Sequence, residues 1–314
     1  MLSIVFLDRA SLPVALPSLV TPHQWRDFDA TDPSRIVERA SEAEVIITNK
    51  VPLDAATLAR LPRLRLIAVA ATGTNHIDLA AARERAVVVC NIQGYADDSV
   101  AEHAIMLMLA LAKQLPAYQQ DARLQWARSA SFCHFGAPII ELAGRTLCLV
   151  GSGALGRRTG EIATALRMRV IHAERRDASV VRPGYTAFHA ALAEADVVSL
   201  HCPLTPATAN LIGATELARM RPGALLINTA RGGLVDSDAL LAALQSGHLG
   251  GAGLDVLPEE PPPENHPLLR AALPNLLITP HIAWASHAAM SRMADQLIDN
   301  IDAFAAGKPL RQII

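Results

Sequence analysis

The stretch from Thr146 to Glu174, TLCLVGSGALGRRTGEIATALRMRVIHAE, most narrows what this chain can fold into. An apolar run, Leu147 to Val150, reads as a buried strand and empties straight into Gly151, Gly153 and Gly156 at the spacing G-x-G-x-x-G. The first glycine permits a tight turn, the second lets backbone approach a pyrophosphate, and the third allows the next helix to pack closely on the strand. A helix starting near Ala154 then offers phosphate its free N–H groups and the positive end of its dipole. Val170 to Ala173 form a second strand that ends at Glu174, roughly 20 residues past Gly151, where such folds place an acidic acceptor for ribose hydroxyls. Glycine triplets also occur in tight turns with no ligand; here the strand, the helix and the closing acid point together to a dinucleotide.

Composition limits the rest. A chain of 314 residues suits two domains. With 51% hydrophobic and 18% charged residues it is a soluble α/β composition, too apolar for disorder. A net charge of −2 gives no electrostatic case for nucleic acid or an anionic membrane, so small metabolites are the natural partners. Cys90, Cys133, Cys148 and Cys202 stand far apart, without a C-x-x-C pair or histidines at zinc-finger spacing. No metal site is expected, and the thiols read as core filling in a reducing compartment. MLSIVFLD reads as a first strand rather than a signal peptide, and the longest apolar run, Ala104 to Ala112, is far short of a bilayer span. The expected location is the cytoplasm.

In the first 95 residues, short runs at Ser3–Asp8, Val45–Thr48, Leu66–Ala70 and Val87–Cys90 alternate with helical patterns near Ser34–Ser41, Asp54–Leu61 and Asp78–Arg85. That alternation predicts parallel strands with crossover helices. AATGTNHID, before a helix capped by Asp78 or Asn75, could hold a carboxylate on the N–H groups of Gly73 and Thr74, or could be a connecting loop. Asp98 or Ser99 can cap the next helix, which continues to Pro116; its apolar residues cover nearly all faces and call for burial on more than one side. Residues 117–144 form a bridge richer in aromatic and polar side chains. From Thr146 the rhythm gives strands at 147–150, 170–173, 197–201, 224–228, 252–256 and 276–279, the number of a doubly wound dinucleotide sheet. A proline-rich loop, PEEPPPENHP, follows the fifth strand, and a last helix runs over Ser286–Ala306.

Ligands of open parallel sheets bind at the carboxyl ends of the strands. Those ends carry Cys202–Pro203 after the third strand, Asn228 to Gly232 after the fourth, Asp255 after the fifth and Pro280–His281 after the sixth. Titratable groups at several ends exceed what packing requires and mark that edge as the active-site rim.

The motifs ATGTNHIDL, GSGALG, HCPLTPAT, NTARGGLVD, GAGLDV, EEPPP and TPHIAW, in this order and across essentially the whole chain, resemble the D-isomer-specific 2-hydroxyacid dehydrogenases. HIAW together with FCH near 132–134 looks most like the glycerate dehydrogenase or hydroxypyruvate reductase subgroup. The resemblance implies an α/β fold of two doubly wound parallel sheets. A Rossmann cofactor domain, residues 98–284, is inserted in a flavodoxin-like substrate domain made of residues 1–97 and 285–314. It also implies a homodimer built through the cofactor domains and a cleft that closes at the two domain crossings.

Carried over residue by residue, Arg231 would bind the substrate carboxylate and polarise the keto oxygen, His281 would be the acid–base, and Glu260, the glutamate directly before a proline, would hold His281. A guanidinium suits a carboxylate, and an imidazole can move the proton that each turnover requires. A neighbouring carboxylate favours the protonated imidazole that reduction needs. The bland alternatives are a surface salt bridge for Arg231, a strand-end cap for His281 and solvated glutamates in the proline-rich loop. Asp255 matches the residue expected at the nicotinamide carboxamide, or else closes a strand. Ala154, Leu155, Cys202, Pro203, Thr208, Thr229 and Ala230 are expected to line the cofactor, with Ser99 reaching the nicotinamide side. His103, His134, His201 and His287 read as structural or surface groups.

Glu174 should repel a 2′-phosphate and select NAD, whereas Arg175 and Arg176 could clamp that phosphate and admit NADP if Glu174 swings away. The expected reaction is reduction of a small 2-keto acid, hydroxypyruvate or glyoxylate, to the D-2-hydroxy acid, and its reverse. Formate or phosphite oxidation on the same scaffold, and a non-catalytic NAD-sensing corepressor, are the competing readings. The chain stops at Ile314, which leaves no room for the regulatory domain of longer phosphoglycerate dehydrogenases, and its ends fall within folded elements rather than interaction tails.

Overall fold

A computed structural model describes residues 1–314. In chain order the elements are β1 (Leu2–Phe6), β2 (His23–Asp27), α1 (Ile36–Ala40), β3 (Val45–Thr48), α2 (Ala55–Ala59), β4 (Leu66–Val69), α3 (Leu79–Glu84) and β5 (Val88–Cys90). Two helices follow, α4 (Asp97–Ala112) and α5 (Leu115–Leu124), and then β6 (Thr146–Val150), α6 (Ala154–Ala165), β7 (Arg169–Ala173), α7 (Phe188–Glu194) and β8 (Val197–Leu200). The remainder is α8 (Ala214–Arg219), β9 (Leu225–Asn228), α9 (Ser237–Gln245), β10 (Gly251–Leu254), α10 (Pro267–Arg270), β11 (Leu276–Ile278) and α11 (His287–Ala305). The chain divides into two compact units, Met1–Ala96 with Ala285–Ile314, and Asp97–Trp284.

The first unit holds a five-stranded parallel sheet in the order β2-β1-β3-β4-β5, the flavodoxin-like arrangement. β3 and β4 are buried along their whole length, as a sheet covered on both faces requires. Asp54 and Asp78 cap α2 and α3 by accepting from Thr57 N–H and Ala81 N–H. Asp78, not Asn75, is therefore the cap. β2 escapes the sequence reading because HQWRD has no apolar run: it is an edge strand with most of its side chains in water.

The second unit holds six parallel strands in the order β11-β10-β9-β8-β6-β7. A one-residue bridge from Ala173 to Thr186 adds a vestigial strand beyond β7, at the place of the third strand in the doubly wound dinucleotide order. The chain leaves β7 at one side of β6 and returns through β8 at the other, so β6 and its glycine turn lie at the switch point. Leu107 and Leu111 of α4 pack with Leu147, Leu149, Leu225 and Ile227 of the sheet, which explains a helix so apolar around its circumference.

Two local readings change. α4 starts at Asp97, so Asp98 and Ser99 sit inside its first turn rather than capping it. Pro116 does not simply end a helix: Gln114 takes a left-handed conformation (φ 52°), and Pro116 then occupies the first turn of α5, where its missing N–H costs nothing.

Candidate active site

The turn after β6 is built on Gly151, whose φ is 105°. A Cβ there would lie 2.7 Å from the backbone of His201 and Cys202, so only glycine admits the loop that follows β8. No side chain caps α6, whose first N–H groups, those of Ala154 and Leu155, are left for a ligand. Open space lies on the Cβ side of Gly153, and Gly156 is buried against the turn. Further along the same sheet edge, the Thr229 hydroxyl is buried without a partner. Open space beside Gly153 at a free helix terminus and an orphaned hydroxyl fit a dinucleotide along this edge.

The expected lining residues sit on two loops after β8 and β9. Thr208 closes the first, donating from Oγ1 to Pro203 O at 2.7 Å and accepting from Thr205 N–H at 2.7 Å. Burial pushes the Cys202 thiol up to about 11, so it is no nucleophile near neutrality. Asn228 brackets the second loop: its Oδ1 accepts from Ala230 N–H at 3.0 Å and its Nδ2 donates to Arg231 O at 2.9 Å.

Glu174 departs from expectation. Its carboxylate is buried, and four donors occupy it: Arg182 Nε at 2.7 Å, the second Arg182 nitrogen at 2.8 Å, and the N–H groups of Arg175 and Arg182 at 2.8 and 3.1 Å. Four bonds saturate a carboxylate, leaving no acceptor for a ribose. The Arg182 guanidinium holds the acid down at about 2. Sequence reasoning missed Arg182, which folds back onto β7 only because Thr186 pairs with that strand.

Arg231 follows β9, partly exposed, with one guanidinium nitrogen donating to Ala230 O at 2.6 Å. The next residue, Gly232, faces the loop after β10 so closely that a Cβ would fall 1.9 Å from the Leu257 carbonyl carbon. Leu257 N–H donates to Glu260 Oε1 at 3.1 Å, and His281 Nδ1 donates to Glu260 Oε2 at 2.6 Å. The loops bearing Arg231, Glu260 and His281 are thus in contact through Gly232, Leu257 and the Glu260 carboxylate. With Nδ1 committed, Nε2 is the imidazole nitrogen left to meet a substrate.

His281 itself has φ 54°, an uncommon conformation for a residue with a side chain. Asp255 O accepts from His281 N–H at 2.8 Å, and His281 O accepts from the Trp284 indole at 2.9 Å. Asp255, 1% exposed, spends its carboxylate on the same segment. Oδ1 accepts from the Thr279 hydroxyl at 2.5 Å and Ile282 N–H at 3.0 Å, and Oδ2 accepts from Ala283 N–H at 2.8 Å. Three donors hold this carboxylate, which shapes the turn that carries His281. Thr279 gives its only proton to Asp255, so its oxygen accepts from His103 Nε2 at 2.9 Å. Burial lowers the pKa of His103 against the opposing Asp255 charge, which suits that neutral donor. Ser99 Oγ donates to Ala283 O at 2.6 Å, closing the same turn from α4. Sequence spacing had no way to join His103 or Thr279 to this group.

In the other unit, Gly73 and Thr74 lie in the loop after β4. Thr72 anchors the loop, donating from Oγ1 to Ile92 O at 2.8 Å and accepting at its carbonyl from Asn91 Nδ2 at 2.8 Å. Neither the Gly73 nor the Thr74 amide is drawn into the backbone bonds of the turn.

A doubly wound sheet with a glycine phosphate turn, and a carboxylate-held histidine beside an arginine at the same edge, define a nicotinamide-dinucleotide oxidoreductase. Residues 105–283 match the family described as D-isomer specific 2-hydroxyacid dehydrogenase, NAD binding domain, and the chain belongs to that family. It is 47% identical over 308 residues to a glycerate dehydrogenase of Methylorubrum extorquens, covering 98% of this chain and 97% of the relative. It is 33% identical over 287 residues to a hydroxypyruvate reductase of Blautia hydrogenotrophica, covering 90% and 88%. The solved structure of Aquifex aeolicus D-lactate dehydrogenase with NAD and lactic acid superposes with a TM-score of 0.80 at 28% identity, covering 97% of this chain and 96% of that one. The chain is an NAD-binding oxidoreductase of the D-2-hydroxyacid dehydrogenase family, and none of its helices is long and apolar enough to cross a membrane.

Proposed function

We propose that the chain reduces a short 2-keto acid, hydroxypyruvate or glyoxylate, to the D-2-hydroxy acid and runs the reverse oxidation. The 2.6 Å pairing of His281 with Glu260, on a loop in contact with the Arg231 turn, carries this reading. The names of the M. extorquens and B. hydrogenotrophica relatives support the choice of substrate.

In the reductive direction, Arg231 pairs with the substrate carboxylate and draws electron density toward the keto oxygen. Bound nicotinamide supplies the hydride for the keto carbon. His281, held through Nδ1 by Glu260, gives the Nε2 proton to the oxygen as it gains charge, and the pair is reprotonated from solvent before the next turnover. Ala154, Leu155, Thr229 and Ala230 face the dinucleotide, and Thr229 gains through it the partner it lacks.

A panel of 2-keto acids, followed by the loss of reduced-nicotinamide absorbance, tests the assignment. His281→Ala and Arg231→Ala should each lower kcat/KM about 100-fold or more. Unchanged turnover in either removes that residue from the mechanism.

The active form is assigned as a homodimer. Leu115, Leu124, Trp126, Phe132, Phe135 and Ile139 are all exposed within one segment, Phe132 by 91% and Phe135 by 87%. So much apolar surface on one arm calls for cover. Sedimentation should give twice the chain mass, and Phe132→Ser with Phe135→Ser should shift it to the monomer. A cytoplasmic location fits four cysteines that form no disulfide.

A further inference from the structure

Helix α4 and strand β10 meet along two matched stripes. Ser99, His103, Leu107 and Leu111 recur every fourth residue and share one face of the helix. Gly251, Gly253 and Asp255 alternate along the strand and its end, and so share one face of the sheet. A Cβ on Gly251 would lie 2.9 Å from Leu111 Cδ2, and one on Gly253 would lie 2.9 Å from Leu107 Cβ. The strand gives up its side chains there and lets the helix come close. One step further along both stripes, His103 Nε2 stands 3.5 Å from Asp255 Oδ1. Beyond it, Ser99 Oγ donates to Ala283 O at 2.6 Å.

The helix thereby grips the turn from Thr279 to Trp284 at two places. His103 Nε2 donates to Thr279 Oγ1 at 2.9 Å, and that hydroxyl gives its own proton to Asp255 Oδ1 at 2.5 Å. Asp255 holds the Ile282 and Ala283 amides on its carboxylate and the His281 amide on its carbonyl. Within this frame His281 takes φ 54°, which a residue with a side chain keeps only when its surroundings over-determine it. His103 is 12% exposed on a helix whose neighbouring positions are apolar, where a polar ring costs desolvation unless it has a partner. An aliphatic side chain like Leu107 would serve packing alone. Without the imidazole the Thr279 oxygen loses its donor, and its hydroxyl is no longer fixed toward Asp255. Burial keeps the His103 pKa below its ordinary value against the Asp255 charge, so the ring donates as a neutral group.

We propose that His103 is a positioning residue for the acid–base His281. Through Thr279 and Asp255 it fixes the left-handed turn that aims His281 Nδ1 at Glu260 and leaves Nε2 for the substrate. It acts through the turn rather than on the reacting atoms. The inference rests on the reading of His281 as acid–base, but one arm of its test needs no turnover.

Three measurements on the intact chain test it: steady-state rates at saturating NADH, NADH binding by fluorescence titration, and proton NMR of the hydrogen bond from His281 Nδ1 to Glu260. His103→Leu should lower kcat about tenfold or more, while the keto-acid KM and the NADH dissociation constant stay within about threefold. His103→Gln, whose amide can donate to Thr279, should recover most of the rate. Thr279→Val should reproduce the loss, and adding it to His103→Leu should cost little more, because both break one chain of hydrogen bonds. The Nδ1 proton signal, assigned by its loss in His281→Ala, should exchange faster in His103→Leu. That result would stand even if no keto acid were reduced, so failure of the substrate assignment and failure of this inference are distinguishable. Unchanged kcat and proton exchange in His103→Leu overturn the proposal, and so do equal losses in His103→Leu and His103→Gln. A loss of NADH affinity of about tenfold with kcat unchanged also overturns it, and would make the network part of the cofactor site. If His103→Leu does not fold, Thr279→Ser against Thr279→Val carries the same comparison, and equal rates in those two refute the proposal.

Discussion

At the scale of single residues, the site depends on carboxylates whose acceptors are already committed. Glu260 holds His281 with one oxygen and the Leu257 amide with the other. Glu260→Gln keeps the shape but puts an amide where the imidazole needs a charged acceptor. It should lower kcat about 10- to 100-fold with little change in KM, as steady-state rates across a substrate series would show. Asp255→Asn should act differently. It turns one acceptor into a donor facing the Thr279, Ile282 or Ala283 donors, so denaturant unfolding should register a loss of about 1–3 kcal/mol as well as reduced turnover. The pairing of Glu260 with His281 was legible through the motifs that flank them. Arg182, His103 and Thr279 were not, because each acts on a residue that only tertiary folding brings near. The same gap misdirected the reading of Glu174: sequence shows that an acid ends a strand, not which donors have saturated it.

At the scale of elements, legibility followed apolar patterning. Strands such as β3, β4, β8 and β9 are buried throughout and stand out as hydrophobic runs. Edge strand β2 lacks that signature, and α5 was hidden behind a proline that starts helices as readily as it stops them. The close approach at Gly232 is also an element-scale feature, since it fixes how near the loop after β10 comes to the turn after β9. Gly232→Ala would drive that loop away from Arg231 and carry Glu260 with it. Thermal melts should fall by several degrees, consistent with about 1–3 kcal/mol of overpacking, and kcat should drop although no catalytic group has changed.

For the molecule as a whole, acid should act in two stages. Burial lowers the pKa of His201 from 6.5 to about 4, and burial together with the Lys50 charge does the same to His76. The unfolded chain therefore takes up these protons first, and stability declines as pH falls from about 6.5 to about 4, by about 3 kcal/mol for His201. Glu174 titrates from 4.5 when unfolded to about 2 when folded, so its contribution, present above about 4.5, is lost as pH falls toward 2. Unfolding midpoints recorded against pH should show the first decline, and His201→Gln should flatten it; an unchanged slope in that variant would rule His201 out as its source.

The hydrogen bond from Ser99 to Ala283 joins positions that stand two residues inside one end of the Asp97–Trp284 unit and one residue inside the other. Entry and exit of that unit are therefore neighbours, as in a cassette that can be lifted out at a single seam. A gene segment with that property can be exchanged between host proteins, or reopened elsewhere with its old ends ligated, at the cost of one short splice.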